Sequence, residues 1–214
     1  MALALPQMWF LTSQTNTNEQ LITADKMRFF QVYNKNHHEE LEIFDSDDTT
    51  LLYHISRDLE GKNKHKFELS RCPRNADGTY NKEVLARFAV YRFDAVIKLD
   101  SFEDEIAMKH VSTTSTKYEI SSLKFHATWM KDGVFSSDMK LVDPSGQVLA
   151  KYEIASFSKS KQGRIHIVDH LDDAIVDLII ITGVARMEKQ RMDKNVSGRP
   201  DQGFGMLGDG MGGF

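Results

Sequence analysis

Cysteine is almost absent from this 214-residue sequence, in which Cys72 is the single example. One cysteine cannot form a disulfide within the chain, which fits a reducing compartment such as the cytoplasm. It also excludes the CxxC motifs of redox and zinc sites. Arg71 and Arg74 lie close to Cys72 in the sequence, and nearby cations can activate a thiol. We nevertheless interpret Cys72 as a bystander in a loop.

A large excess of either charge is also missing. The chain has 27 Lys and Arg against 31 Asp and Glu, a net charge of -4, so we expect no nucleic-acid partner. Any anionic partner would need a local basic patch. Hydrophobic residues make up 41% and charged residues 27%, which permits a packed core. The length suits one large β domain or two small domains.

The N-terminal residues 1–25 lack the basic segment of a secretory signal peptide. The stretch "MALALPQMWFLTSQ" is apolar, but Pro6 interrupts it and it becomes polar at Thr12. We predict an N-terminal arm, or a strand that pairs with the sheet.

No apolar run in the sequence has the length that is typical of a membrane-spanning helix. The longest, Ala174 to Arg186, has nine aliphatic residues in thirteen positions and contains Asp177, whereas a span needs roughly 20 residues. The β-branched "IVDLIIIT" also permits a buried strand. Acids before the run and bases after it complement a helix dipole, and Asp169 or Asp172 can act as the N-cap.

We therefore predict a helix from about Asp169 to Arg191 that is buried on every side. Gly183 weakens this helix by about 1 kcal/mol relative to alanine without excluding it. A buried Asp177 must be hydrogen-bonded or have a raised pKa. Such a helix needs other elements around it.

Residues 26–168 supply those elements as short runs that alternate apolar and polar residues. Polar turns recur about every 8 to 12 residues, which is typical of a sandwich or barrel. Two hairpins resemble each other, "EIFDSDDTTLLY" and "KLVDPSGQVLAK". Asp45 and Asp143 begin their turns and can accept hydrogen bonds from the turn backbone.

The C-terminal residues 193–214 hold seven of the thirteen glycines, so we predict a flexible tail. The apolar residues of this tail leave two interpretations open, a dispensable tail or a docking motif for a protein partner. The tail contains "GFGMLG", which matches GxGxxG, but a dinucleotide site needs a strand before this motif and a helix after it. We interpret it as a chance match.

Enzyme and metal signatures are scarce. The chain has no GxSxG motif and no P-loop. His166 and His170 are four residues apart but fall in a predicted strand and at a helix start, so they do not share a helix face. The "DSDD" turn has Thr50 and Ser56 where a calcium loop needs glycine and glutamate. We expect no catalysis, no cofactor and no metal.

Antiparallel strands followed by one hydrophobic helix resemble the tubby C-terminal-like superfamily. That superfamily includes tubby domains, phospholipid scramblases and LURP-one-related proteins. The stretches that carry the resemblance are the hairpin "KLVDPSGQVLAKYEI" and the helix "LDDAIVDLIIITGVARME". The resemblance implies a barrel of about twelve antiparallel strands closed around the helix, over residues 26–192. The bare domain looks most similar to the LURP-one-related type, and it lacks the proline-rich region and cysteine cluster of scramblases.

Two basic stretches, "GKNKHKFELSRCPR" and "KSKQGR", are the candidate binding residues. Phosphate groups need several converging cations, because one exposed lysine contributes little. The candidate lipid-binding residues are Lys62, Lys64, Lys66, Arg71, Arg74, Lys159, Lys161 and Arg164. If the two stretches lay on opposite sides of the barrel, they would be ordinary solvated loops.

Tubby domains bind phosphoinositide head groups, so the resemblance implies a non-enzymatic module that docks on anionic phospholipid or phosphoinositide. We expect it in the cytoplasm or at the surface of a membrane. Two alternatives stay open: an adaptor that binds a protein through the tail, and scramblase-like lipid transport, which would require the helix to leave the core.

Overall fold

The computed structural model describes residues 26–35, 39–58, 64–91, 94–112, 116–133, 136–155 and 160–196. The predicted N-terminal arm, and the predicted tail beyond Val196, lie outside the described residues. Twelve strands and one helix are found in the described part of the chain: β1 (Met27–Lys35), β2 (Glu40–Phe44), β3 (Leu51–Asp58), β4 (Lys64–Arg71), β5 (Glu83–Tyr91), β6 (Asp94–Leu99), β7 (Ile106–His110), β8 (Tyr118–Ser121), β9 (His126–Lys131), β10 (Met139–Val142), β11 (Val148–Ile154), β12 (Lys161–Val168) and α1 (Asp173–Val196).

The strands form a closed antiparallel barrel in which each strand pairs with its neighbours in sequence. β12 closes the barrel against β1, in one register from Met27 opposite Val168 to Val32 opposite Gly163, and the register then shifts by one residue so that Tyr33 lies opposite Lys161. Closure removes the unpaired edge strands that an open sheet would expose. The prediction of a mainly β, twelve-stranded barrel is confirmed.

Alternation along each strand gives the barrel its apolar interior. Successive side chains point to opposite faces, so every second residue faces inward. In β6 the inward residues Ala95, Ile97 and Leu99 are at most 2% exposed, while Val96 and Lys98 face out. The same pattern runs around the barrel and leaves a core that only another apolar element can fill.

The helix α1 fills this interior, so the predicted central helix is confirmed. Residues Leu178 to Ile181 have no exposed surface, and Val184 and Ala185 are equally enclosed. Because the barrel surrounds the helix, apolar side chains are buried on all of its faces. No helix in the described ranges is long and apolar enough to cross a membrane.

The helix begins and ends later than predicted. Asp172 is the N-cap, since its Oδ1 accepts a hydrogen bond from the Ile175 N–H at 2.9 Å. The Asp169 N–H donates instead to the Lys26 carbonyl, in the turn that follows β12. At the other end α1 continues to Val196, into the predicted tail, because the first glycine after Gly183 is Gly198.

The two similar hairpins have turns built on aspartate, as predicted. The Asp143 Oδ1 accepts a hydrogen bond from the Gln147 N–H at 2.8 Å, and Gly146 adopts a φ of 88°. In the first hairpin the Asp45 Oδ1 accepts a hydrogen bond from the Ser46 N–H at 2.6 Å, and Asp47 is a second acceptor that the sequence did not indicate. Asp47 receives both the Thr49 and Thr50 N–H groups at 2.9 Å.

Candidate functional site

The helix gives the barrel two distinguishable ends. Arg71, the last residue of β4, contacts Asp177 in the first turns of α1. His65, near the beginning of β4, contacts Glu188 in its last turns. We call these the start end and the finish end. Because neighbouring strands are antiparallel, every even-numbered strand runs from the finish end to the start end.

The predicted basic residues do not form one cluster. Lys62 and Lys159 lie outside the described residues. Lys64 and Lys66 in β4, and Lys161 and Arg164 in β12, lie towards the finish end, but β1, β2 and β3 separate the two pairs. The outward face of β2 between them carries the carboxylates of Glu40 and Glu42.

Arg71 and Arg74 lie at the start end, apart from the other predicted cations. The Arg71 Nη2 donates to both carboxylate oxygens of Asp177, at 2.9 and 2.8 Å. Burial acts to lower the Arg71 pKa, but the hydrogen bonds and charge of Asp177 and Tyr53 together raise it. Arg71 is therefore engaged within the chain, and we leave it out of the candidate site.

Lys64 and Lys66 line a groove of about 490 Å³ on the outer wall of the barrel, which we call the β4–β6 groove. Phe67 is 4% exposed and His65 contacts the helix, so both face inward. Their neighbours Lys64, Lys66 and Glu68 therefore face outward. The β4–β6 groove therefore lies on the outer surface of the barrel and not in its interior.

Strand register places the middle of the groove. Asp58, Lys66, Ala89 and Val96 lie opposite one another across β3, β4, β5 and β6. Tyr91 lies beside this row at the finish end, where it pairs with Lys64. The Lys64 Nζ lies 5.5 Å from the centre of the Tyr91 ring. The Lys64 amine thus lies next to an exposed aromatic side chain.

A second cross-strand row borders the groove with charges of both signs. Glu68 lies opposite Arg87, and Arg87 lies opposite Lys98. The Arg87 Nη2 is 3.0 Å from a Glu68 carboxylate oxygen. Four cations and three carboxylates face out around the groove, a net charge of +1: Lys64, Lys66, Arg87, Lys98, Asp58, Glu68 and Glu105.

The floor of the groove is held to the helix by buried polar contacts. The Arg57 Nη2 donates to Glu188 Oε2 at 2.5 Å, and the His65 Nδ1 is 2.6 Å from Glu188 Oε1. The Lys189 Nζ donates to the Tyr91 carbonyl at 2.8 Å. Burial lowers the Arg57 pKa against the opposing effect of Glu188. These contacts fix β3, β4 and β5 against the end of α1.

Lys161 and Arg164 line a separate, smaller groove of about 250 Å³ beside Glu153. The Lys161 amine is hydrogen-bonded to Gln31 and lies 5.6 Å from the Tyr33 ring centre. The Arg164 guanidinium lies 5.6 Å from the Phe29 ring centre. None of the large apolar residues that are exposed in the described part of the chain lines this smaller groove.

Nucleophile and metal chemistry have little support in the described ranges. Cys72 is 3% exposed, and burial raises the pKa of its thiol, which disfavours the reactive thiolate. No group of three or more His, Cys, Asp or Glu within these ranges is placed to hold a metal ion. His166 pairs with Glu153 at 3.1 Å, whereas His170 lies exposed in the turn before the helix.

Sequence reasoning found Lys64 and Lys66 but missed the rest of the β4–β6 groove. Arg87 and Lys98 are isolated cations within apolar strands, so they do not stand out as a basic stretch. The alternation of "ARFAVY" was the available signal, because it places Arg87, Ala89 and Tyr91 on one face of β5.

No protein-family model, curated protein or solved structure matches this chain. The fold defines the chain as a closed antiparallel barrel with a central helix, and a barrel alone does not determine an activity.

Proposed function

We propose that this protein is a non-enzymatic binding module that docks on anionic phospholipid through the β4–β6 groove. One observation carries the proposal. Lys64 and Lys66 share one concave surface with the exposed apolar residues Tyr91 and Val96, each 37% exposed. An anionic lipid is complementary to this surface, because its head group is negatively charged and its chain is apolar.

The charges around the groove predict moderate, salt-sensitive binding. Each lysine or arginine near an anionic leaflet contributes about 1 kcal/mol, and salt screens this attraction within a Debye length of about 8 Å. Three carboxylates offset part of the attraction of the four cations. The apolar contacts of Tyr91 and Val96 would persist at high salt, because they do not depend on charge.

Lipid transport by the helix is not favoured by its contacts. Asp177 and Glu188 tie opposite ends of α1 to the wall through Arg71 and Arg57. Removing the helix from the barrel would break both ion pairs and expose the barrel core. The β4–β6 groove requires no such movement.

Co-sedimentation with vesicles tests the proposal. The intact chain is mixed with vesicles of phosphatidylcholine alone, or with added phosphatidylserine or phosphoinositide, at low and physiological salt. We expect binding to the anionic vesicles only, weakened by salt. A difference between phosphatidylserine and phosphoinositide at matched charge would show whether the head group is recognised or only its charge.

The matched variants are Lys64→Ala with Lys66→Ala, and Lys161→Ala with Arg164→Ala. Each double variant removes two positive charges from the outer wall near the finish end. We expect the first to lose most of the binding and the second to retain it. Equal losses would mean that net charge alone attracts the protein, and no binding by the intact chain would reject the proposal.

A further inference from the structure

The start end of this barrel is strongly acidic. Six connections follow the even-numbered strands and therefore lie at the start end: residues 45–50, 72–82, 100–105, 122–125, 143–147 and 169–172. Together they hold eleven Asp and Glu but three Lys and Arg, a net charge of -8. Since the whole chain has a net charge of -4, the remaining residues carry +4 in total, spread over the strands, the helix, the other connections and the terminal segments.

Part of this negative charge is fixed by the local turns. Hydrogen bonds from the backbone of Thr49 and Thr50 hold the pKa of Asp47 far below its usual range. The hydroxyl and backbone of Thr79 lower the pKa of Asp77 in the same way. These two carboxylates resist protonation more strongly than an ordinary aspartate, so their part of the start-end charge persists as the pH falls.

The β4–β6 groove is polarised along the same axis. Lys64 begins β4 and Tyr91 ends β5, so both lie at the finish end. Glu105 lies in the connection before β7, at the start end. The lysines and the exposed tyrosine are thus displaced away from the acidic connections.

We infer that the barrel docks on an anionic membrane with its finish end towards the lipid and its start end in water. This orientation rests on the proposed function, and it specifies which end of the barrel faces the membrane. A strand of eight residues such as β12 is roughly 26 Å long at 3.3 Å per residue, and with a barrel tilt of about 40° it spans roughly 20 Å along the axis, more than twice the Debye length of about 8 Å. In this orientation the acidic start end therefore lies beyond the electrostatic field of the leaflet. In the reverse orientation the leaflet would repel the start end.

Two exposed apolar residues provide positions for probes at the two ends. Val111 follows β7 at the finish end and is 52% exposed. Leu123 follows β8 at the start end and is 86% exposed. Each is replaced by cysteine in the full chain and labelled with an environment-sensitive fluorophore. Burial of Cys72 protects the native thiol from the label.

The labelled proteins are mixed with phosphatidylserine vesicles that contain a quencher-bearing lipid. Co-sedimentation of the same samples reports whether the protein binds at all. We expect both proteins to pellet, with the probe at position 111 quenched and the probe at position 123 unchanged. If both pellet but position 111 is not quenched more than position 123, the orientation is overturned and the proposed function stands. If neither pellets, the proposed function fails and the orientation fails with it.

Charge variants give a second, independent readout. Asp100→Asn with Glu103→Gln removes two charges from exposed side chains at the start end. Screening predicts that vesicle affinity changes less than about twofold for this variant. Lys64→Ala with Lys66→Ala should lower affinity by about fivefold per residue. A gain for the start-end variant as large as the loss for the lysine variant would overturn the orientation.

Discussion

Arg57 and Glu188 meet inside the barrel, where the arginine donates a hydrogen bond of 2.5 Å to the carboxylate. Their side chains are 3% and 1% exposed, so solvent cannot replace either partner. His65 lies against the other oxygen of Glu188. The pair connects β3 to the last turns of α1, directly behind the β4–β6 groove.

Breaking this pair on one side should be strongly destabilising. Glu188→Leu leaves the Arg57 guanidinium buried without its carboxylate, which costs about 3–5 kcal/mol of the free energy of unfolding. Replacing both residues, Glu188→Leu with Arg57→Met, should recover most of the loss, because a packed apolar pair needs no compensation. Urea unfolding of the single and double variants measures this, and additive losses would contradict it.

Asp177 forms the polar contact at the opposite end of the helix. The Tyr53 hydroxyl donates to its Oδ1 at 2.8 Å, and Arg71 binds both oxygens. Burial raises the pKa of Asp177, more than these two partners and their hydrogen bonds lower it. The folded protein therefore holds the Asp177 proton to a higher pH than the unfolded chain does.

This raised pKa predicts a pH dependence with a definite sign. Between the unfolded pKa near 3.9 and the higher folded value, the folded state binds more protons, so the contribution of Asp177 to stability falls as pH rises. Asp177→Asn lacks this titration. We expect the free energy of unfolding of the wild type, minus that of the variant, to decrease as the pH rises from about 4 towards the raised pKa of the folded state.

Urea unfolding at several pH values across this window provides the test, because other titrating groups are shared and largely cancel in the difference. If the difference grows with pH, Arg71 and Tyr53 outweigh burial and depress the Asp177 pKa. Tyr53→Phe is a useful control, since it removes one hydrogen bond to the carboxylate and should raise its pKa further.

The central helix could be predicted because its determinants are local. The apolar residues, the N-cap Asp172 and the flanking charges all lie within α1 or beside it. The requirement that a buried Asp177 be hydrogen-bonded or have a raised pKa is met on both counts. Its partner Arg71 lies 106 residues earlier, a separation over which no sequence pattern indicated a contact.

The β4–β6 groove could be predicted only in part, because contacts between residues that are distant in sequence leave no local pattern. Lys64 and Lys66 belong to a visible basic stretch, whereas Arg87 and Lys98 join them through strand register. Register depends on which strands pair and on irregularities such as the shift between Leu69 and Ser70. Without it, the sequence could not show that the basic stretches lie on separate parts of the wall.

Replacement by alanine should have opposite effects on stability at Gly183 and Gly163. A Cβ at Gly183 would meet the Trp129 ring at 3.5 Å, an ordinary contact, so Gly183→Ala should stabilise the helix by up to about 1 kcal/mol. A Cβ at Gly163 would overlap the Glu153 backbone carbonyl, so Gly163→Ala must displace β11 from β12 and destabilise the barrel. Thermal unfolding should show a higher Tm for the first variant and a lower Tm for the second. A lower Tm for Gly183→Ala would mean that α1 has no room beside Trp129.

Trp129 and Thr182 form a hydrogen bond between wall and helix at the centre of the core. The indole N–H donates to the Thr182 hydroxyl oxygen at 3.1 Å, and that hydroxyl donates to the Leu178 carbonyl at 2.9 Å. Both residues are completely buried. Water therefore cannot satisfy the indole if the hydroxyl is removed.

Thr182→Val keeps the shape of the side chain and leaves the indole N–H without an acceptor, which should cost about 1–3 kcal/mol. Thr182→Ser keeps the hydroxyl and loses one methyl, so its expected cost is smaller, about 1 kcal/mol. Urea unfolding followed by the fluorescence of Trp129, in a Trp9→Phe background, measures both variants. A valine variant no less stable than the serine variant would mean that methyl packing, and not the hydrogen bond, holds α1 against β9.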